Sequence, residues 1–134
     1  MAGQARRVVA ELRQAIGKVV GGLMIEIHAN VTEDTPRDTG WAASNWLANI
    51  GAPPVSVITP TSRQARASGV SGRAAASSGS LAPLITYVVG RGRIYVSNAV
   101  PYILGLNQGT SQKAPAGFVQ TGIIRAVNKF LRAA

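Results

Sequence analysis

The longest regular pattern in the chain is helical. From residue 4 to residue 31, Val8/Val9, Leu12, Ile16, Val19/Val20, Leu23 and Ile27 recur at steps of three and four. That spacing sets them on one stripe of an α-helix. Arg6, Arg13, Gln14, Lys18 and Glu26 fall largely outside the stripe. Gly17, Gly21 and Gly22 interrupt it, each at a cost of about 1 kcal/mol relative to alanine. Such a helix depends on burying its apolar face in a core, and the glycines suit close approach of a neighbouring backbone. A second helical period covers residues 118 to 131. Val119, Ile123, Ile124, Val127 and Leu131 share one face, with Phe130 beside it. Arg125, Lys129 and Arg132 fill its later half, where positive charge complements the helix dipole.

Between the helices the period changes. The first pattern fails at Thr32–Gly40, where Pro36 disfavours helix at Thr35. Trp41 to Ile50 mixes small and aromatic residues and reads as a short helical turn or the start of a strand. Leu84 to Val89 and Arg93 to Ser97 alternate as strands do. Gly90-Arg-Gly-Arg93 between them is a turn signal, so the pair predicts a β-hairpin. Asn98 to Gln108 predicts a turn and a short helical or irregular piece, and Gly109 to Gly117 a loop. Residues 50 to 83 stand apart: 24 of these 34 are Gly, Ala, Ser, Thr or Pro, and none is aromatic. Apart from a possible short strand at 55 to 58, little here offsets the entropy of ordering the chain, so a long loop or arm is expected. The fold class that follows is α+β: long N-terminal and C-terminal helices packed on a small antiparallel sheet containing a hairpin. One domain, residues 1–134, accommodates it.

Composition narrows the chemistry. The chain has no cysteine and a single histidine, His28. No disulfide framework, thiolate zinc site or thiol nucleophile can be built, and imidazole chemistry has little to draw on. His28 on a helix, two residues from Glu26, reads as structural, because residues two apart do not face the same way. The longest near-apolar run, Val19 to Ile25, is far short of the ~20 residues of a membrane span. No apolar segment follows Arg6 and Arg7 as in a secretory leader, so a soluble intracellular product is expected. The net charge is +9, and all five acidic residues lie within the first 38 positions. From Thr39 onward there are nine basic residues and no acid. That field favours polyanions, either nucleic acid or the acidic surface of a protein. Arg91 and Arg93 at the turn, with Arg63, Arg66 and Arg73 on the arm, are the candidate contacts to DNA phosphates or an acidic partner. Nothing resembles a base-reading module, so any DNA contact is expected to lack sequence readout.

No catalytic set emerges. Asp38-Thr39-Gly40 matches the aspartic-protease tripeptide, in which two carboxylates share a proton. That tripeptide normally follows an apolar strand, whereas Thr35-Pro-Arg37 and a long helix precede it here. A turn in which Asp38 caps local amides is the expected reading. Gly90-Arg-Gly-Arg93 lacks the following helix and lysine of a phosphate-binding loop.

Two separated segments carry a family resemblance. Thr35-Pro-Arg-Asp-Thr-Gly40, followed by Ala43-Ser-Asn-Trp46, resembles one element of the small tail-completion (neck, or head-tail joining) proteins of long-tailed double-stranded-DNA bacteriophages. Ile94-Tyr-Val-Ser-Asn-Ala-Val-Pro-Tyr102, continuing through Gln108-Gly-Thr-Ser-Gln-Lys-Ala-Pro-Ala-Gly-Phe-Val119, resembles a second element of the same family, in the same order. Asn107-Gln108 stands where that element carries an acid before the glycine, and the arm at 50–83 is longer and plainer than in the family. The resemblance implies a virion structural protein that forms a ring around the DNA channel at the head-to-tail junction, with no enzymatic activity, cofactor or metal. Its partners would be copies of itself and adjacent connector and tail proteins, with no membrane or small-molecule substrate. Thr35, Pro36, Asp38, Thr39, Gly40, Trp46, Asn98, Pro101, Tyr102, Gly109, Pro115 and Gly117 are then the expected subunit or partner contacts. A tail-terminator ring and a sequence-nonspecific nucleic-acid-binding accessory protein are the alternatives.

Overall fold

The computed structural model describes residues 2–36, 42–55, 80–109 and 116–133. Helix α1 runs Ala2–Asp34, a few residues beyond the periodic stretch at each end. Its last turn closes with the Thr35 amide donating to Val31 O at 3.1 Å. Pro36 then has no N–H with which to continue. A 3₁₀ turn at Ala43–Asn45 leads straight into strand β1, Leu47–Ile50. A single helical turn, α2, occupies Ala82–Ile85. Strand β2 is Ile94–Ser97, α3 is Ile103–Asn107 and α4 is Phe118–Ala133. The architecture is α+β, with the two long helices packed on a small antiparallel sheet.

The sheet corrects the expected hairpin. β2 pairs antiparallel with β1, Leu47 opposite Ser97 and Ile50 opposite Ile94. Leu84–Val89 is not a strand. The glycine turn exists, with positive φ at Gly90 and Gly92, but it joins β2 to a segment lying along α1. There Gly17 and Gly21 open a slot. A methyl group at Gly17 would strike the Tyr87 carbonyl and approach Val88 Cα to 2.9 Å, and one at Gly21 would strike the Leu84 carbonyl. Leu84 and Tyr87 are buried in that contact, and the Val89 amide donates to Arg13 O at 3.3 Å. Local β-propensity yields to packing on the helix.

The core centres on Val31, Trp46 and Phe118, surrounded by Ile27, Val96, Ile103, Leu106 and Val119. Helices α1 and α4 run antiparallel. Phe130 lies against Gly22, and near the other end Asn30 Nδ2 donates to Gly122 O at 2.9 Å. Two ion pairs flank the contact, Arg125–Asp34 at 3.0 Å and Lys129–Glu26 at 3.1 Å.

Two helix faces depart from expectation. In α1 the apolar stripe does not enter the core along its whole length: Val8, Leu12 and Val19 are 61%, 56% and 58% exposed, and Val9 and Ile16 are also exposed. Geometry supplies the reason. α1 has 33 residues and α4 has 16, or about 50 Å against about 24 Å of helix. With Phe130 already beside Gly22, α4 ends before it reaches the first half of α1. In α4 the buried positions are Phe118, Gly122 and Ala126, while Ile123, Ile124 and Leu131 are exposed. Small residues let the two axes approach closely, and the branched ones turn outward.

Candidate functional site

The two motif segments meet inside the molecule. Thr35 and Trp46, expected at a contact surface, are instead buried within the chain's own fold. The Thr35 hydroxyl donates to Val31 O, one helical turn back, and accepts from Trp46 Nε1 at 2.8 Å. The hydroxyl thus bonds a carbonyl at the end of α1 and a buried indole N–H. His28, two helical turns before Thr35, is also buried, and its Nε2 lies 2.8 Å from Trp46 O. A carbonyl only accepts, so Nε2 carries the proton there. Burial pushes the His28 pKa below its ordinary value, and the bond to Trp46 O opposes that shift without overcoming it. The imidazole is a neutral core group tying α1 to the start of β1.

The second segment is held by asparagines. Asn98, half-buried, donates from Nδ2 to Ala42 O at 2.8 Å and accepts from the Val100 amide at 3.1 Å. It locks the chain after β2 to the residues before the 3₁₀ turn, and so joins the two motif segments directly. Asn107 stands where the resembled element has an acid. Its Oδ1 accepts from the Val119 amide at 3.0 Å, one of the unpaired donors in the first turn of α4, and its Nδ2 donates to Gln120 Oε1 at 3.0 Å. An amide oxygen thereby takes the acceptor role open to a carboxylate at that helix end. Its own carbonyl accepts from the Gly117 amide at 2.7 Å. Gly109 and Gly117 both have positive φ, +96° and +79°, where a side chain would be strained.

Of the expected contact residues, Pro101, Tyr102 and Gly109 are exposed, and Pro36, Asn98 and Gly117 are half-buried. Leu104, next to Pro101 and Tyr102, is exposed as well. Asp38, Thr39, Gly40 and Pro115 lie outside the described residues, as do Arg63, Arg66 and Arg73 of the arm and the possible strand beyond Val55. Arg91 and Arg93 are exposed on the glycine turn, which holds them out from the body. A groove beside the α1–α4 contact is lined by Glu26, Asn30, Arg125, Asn128, Lys129 and Arg132. Two of its three cations are already paired with acids of α1.

Among the described residues, no three His, Cys, Asp or Glu side chains gather into a group that could hold a metal ion, and no helix is long and apolar enough to cross a membrane. The surface that sequence reasoning missed is the outer half of α1. The signal for it was available: a second helix half as long cannot cover the whole first stripe. A scan of family models, a search of curated proteins and a search of solved structures each return no match to this chain.

Proposed function

We propose that this protein is a structural component of the virion neck or tail top of a long-tailed double-stranded-DNA bacteriophage. In this reading it forms a ring at the head-to-tail junction around the DNA channel and completes or joins the tail. One observation carries the reading. The two segments that resemble the tail-completion family, about 50 residues apart, fold against one another through Asn98 and Ala42, and three of their residues, Pro101, Tyr102 and Gly109, are exposed. A motif whose polar residues brace the fold and whose loop residues reach the surface suits a piece shaped for assembly. No catalytic step is assigned to it. Heterologous contacts between copies close into a ring when the rotation per copy divides a full turn.

The test is particle assembly. Virions made without this protein are expected to accumulate as separate heads and tails, and particles made with it to carry it as a ring at the junction. Joined, DNA-filled particles lacking the protein would overturn the reading.

The charge distribution favours a second reading, a nonspecific nucleic-acid-binding accessory protein. Exposed Arg91 and Arg93 would then hold DNA phosphates. Binding of duplex DNA by the isolated protein, steeply weakened by salt, distinguishes this reading from the structural one.

A further inference from the structure

We propose that the protruding half of α1 docks on the outward face of α4 in a second copy of this chain. The contact is heterologous, joining two different patches. It deepens the ring reading and rests on it for closure. Among the described residues, two apolar rows are left exposed. One is Val8, Leu12, Ile16 and Val19 on α1, the other Ile124 and Leu131 on α4, the latter 59% and 68% exposed. The α1 row spans about 17 Å and the α4 row about 11 Å.

Continuity identifies what fits the first row. The face of α1 that α4 covers includes Glu26 and Asn30. Stepping back from Asn30 by fours and threes gives Glu26, Leu23, Val19, Ile16, Leu12 and Val8. The row therefore prolongs a seam already occupied by an antiparallel helix, and the chain's own helix stops partway along it. Another helix with a free apolar face fits the remainder, and α4 of a neighbour has one.

Charge favours that choice over a pair of α1 rows. Arg6, Arg7, Arg13 and Lys18 flank the α1 row, against one acid, Glu11. Pairing two such rows would set cations against cations. On α4, Arg125 and Lys129 are drawn to the other flank by Asp34 and Glu26, which leaves Gln120, Thr121 and Asn128 beside the apolar row, with Arg132 at its end. The row contains no Trp, Phe or Tyr, residues that basic helices lying on membranes commonly use.

The area is adequate. From ordinary residue areas, the rows expose roughly 400 and 250 Å², the first at the scale of a functional patch on a monomer. With flanking polar atoms and aliphatic stems, one contact reaches about 1,000 Å², the lower end of specific interfaces. Ring closure, with two contacts per copy, adds avidity.

Two exposed substitutions test the contact in the full chain. Leu12→Asp spoils one row and Ile124→Asp the other. By sedimentation the unaltered protein associates with rising concentration, and each variant alone weakens association about a hundredfold. An equimolar mixture recovers dimers that stop at two chains, because one intact row of each kind remains. As a second measurement, Leu12→Cys mixed with Ile124→Cys in this cysteine-free chain gives the mixed disulfide in excess of either homodimer. An unaltered protein that stays monomeric at all concentrations overturns the proposal. So does unaltered association in both variants, which leaves the ring reading standing on other surfaces. A dominant Leu12→Cys homodimer overturns it in favour of a symmetric α1 pair. Association that appears only with acidic tail proteins or with anionic vesicles overturns it in favour of those partners.

Discussion

The two halves of α1 share one period and one backbone conformation, yet only one of them lies against a second long helix. Residues 22–34 lie against α4, with His28, Asn30 and Val31 buried. Residues 2–19 carry a comparable apolar row that meets solvent. The difference lies in what stands opposite, since α4 is only half as long. A hydrophobic stripe specifies that a face seeks burial, and chain length elsewhere decides whether the same molecule can bury it. A face left over in this way is a candidate interface.

The contrast is sharpest in truncation. Trp46→Ala, against the inner half, removes the indole from the Val31–Phe118 core and strips Thr35 of its donor. A loss of about 3–5 kcal/mol is expected in urea unfolding. Leu12→Ala, on the outer half, is expected to change the stability of the monomer by less than about 0.5 kcal/mol. Equal losses at the two sites would abolish the distinction between the halves.

Glycines probe the same boundary more finely. Gly21→Ala gains about 1 kcal/mol of helix propensity but forces a methyl group onto the Leu84 carbonyl. A net loss of about 2 kcal/mol is expected, since backbone cannot swing aside as a side chain can. Gly22→Ala meets only the Phe130 ring, at 3.4 Å, and should be neutral or slightly stabilising. Thermal unfolding of the two variants side by side measures the difference.

Titration addresses the inner half alone. His28 is neutral in the fold because burial lowers its pKa from the ordinary 6.5. Below about pH 6.5 the unfolded chain takes up a proton that the folded chain refuses. The stability associated with His28 is therefore complete above that pH and declines as pH falls through and below it. His28→Gln is expected to flatten this part of the stability–pH curve. An unchanged slope in the variant would place the titration elsewhere.

A smaller loss than at Trp46 or Gly21 is expected at the start of α4. Asn107→Ala removes the acceptor for the Val119 amide and should cost about 1 kcal/mol. Asn107→Asp keeps the acceptor and adds favourable charge at the helix N-terminus while losing the donor to Gln120. Its melting temperature should stay close to that of the unaltered protein.

Much of this was legible in the residues themselves. Both long helices and a strand ending at Ser97 follow from spacing, proline and small-residue content, whereas Trp41 to Ile50 left a helical turn and the start of a strand as alternatives and the structure has both. These are local signals, carried by residues within a few positions of each other. Gly17 and Gly21 were readable as points of close approach, though their neighbour was not. The roles of Thr35 and Trp46 as an internal pair were hidden, because a loop motif looks the same whether its side chains turn in or out. Tertiary structure alone settled two matters: that β2 pairs with β1, and that residues 84–89 lie in a glycine slot on α1. Each depends on contacts between segments far apart in the chain, where burial and steric fit outweigh the few tenths of a kcal/mol by which local propensities differ.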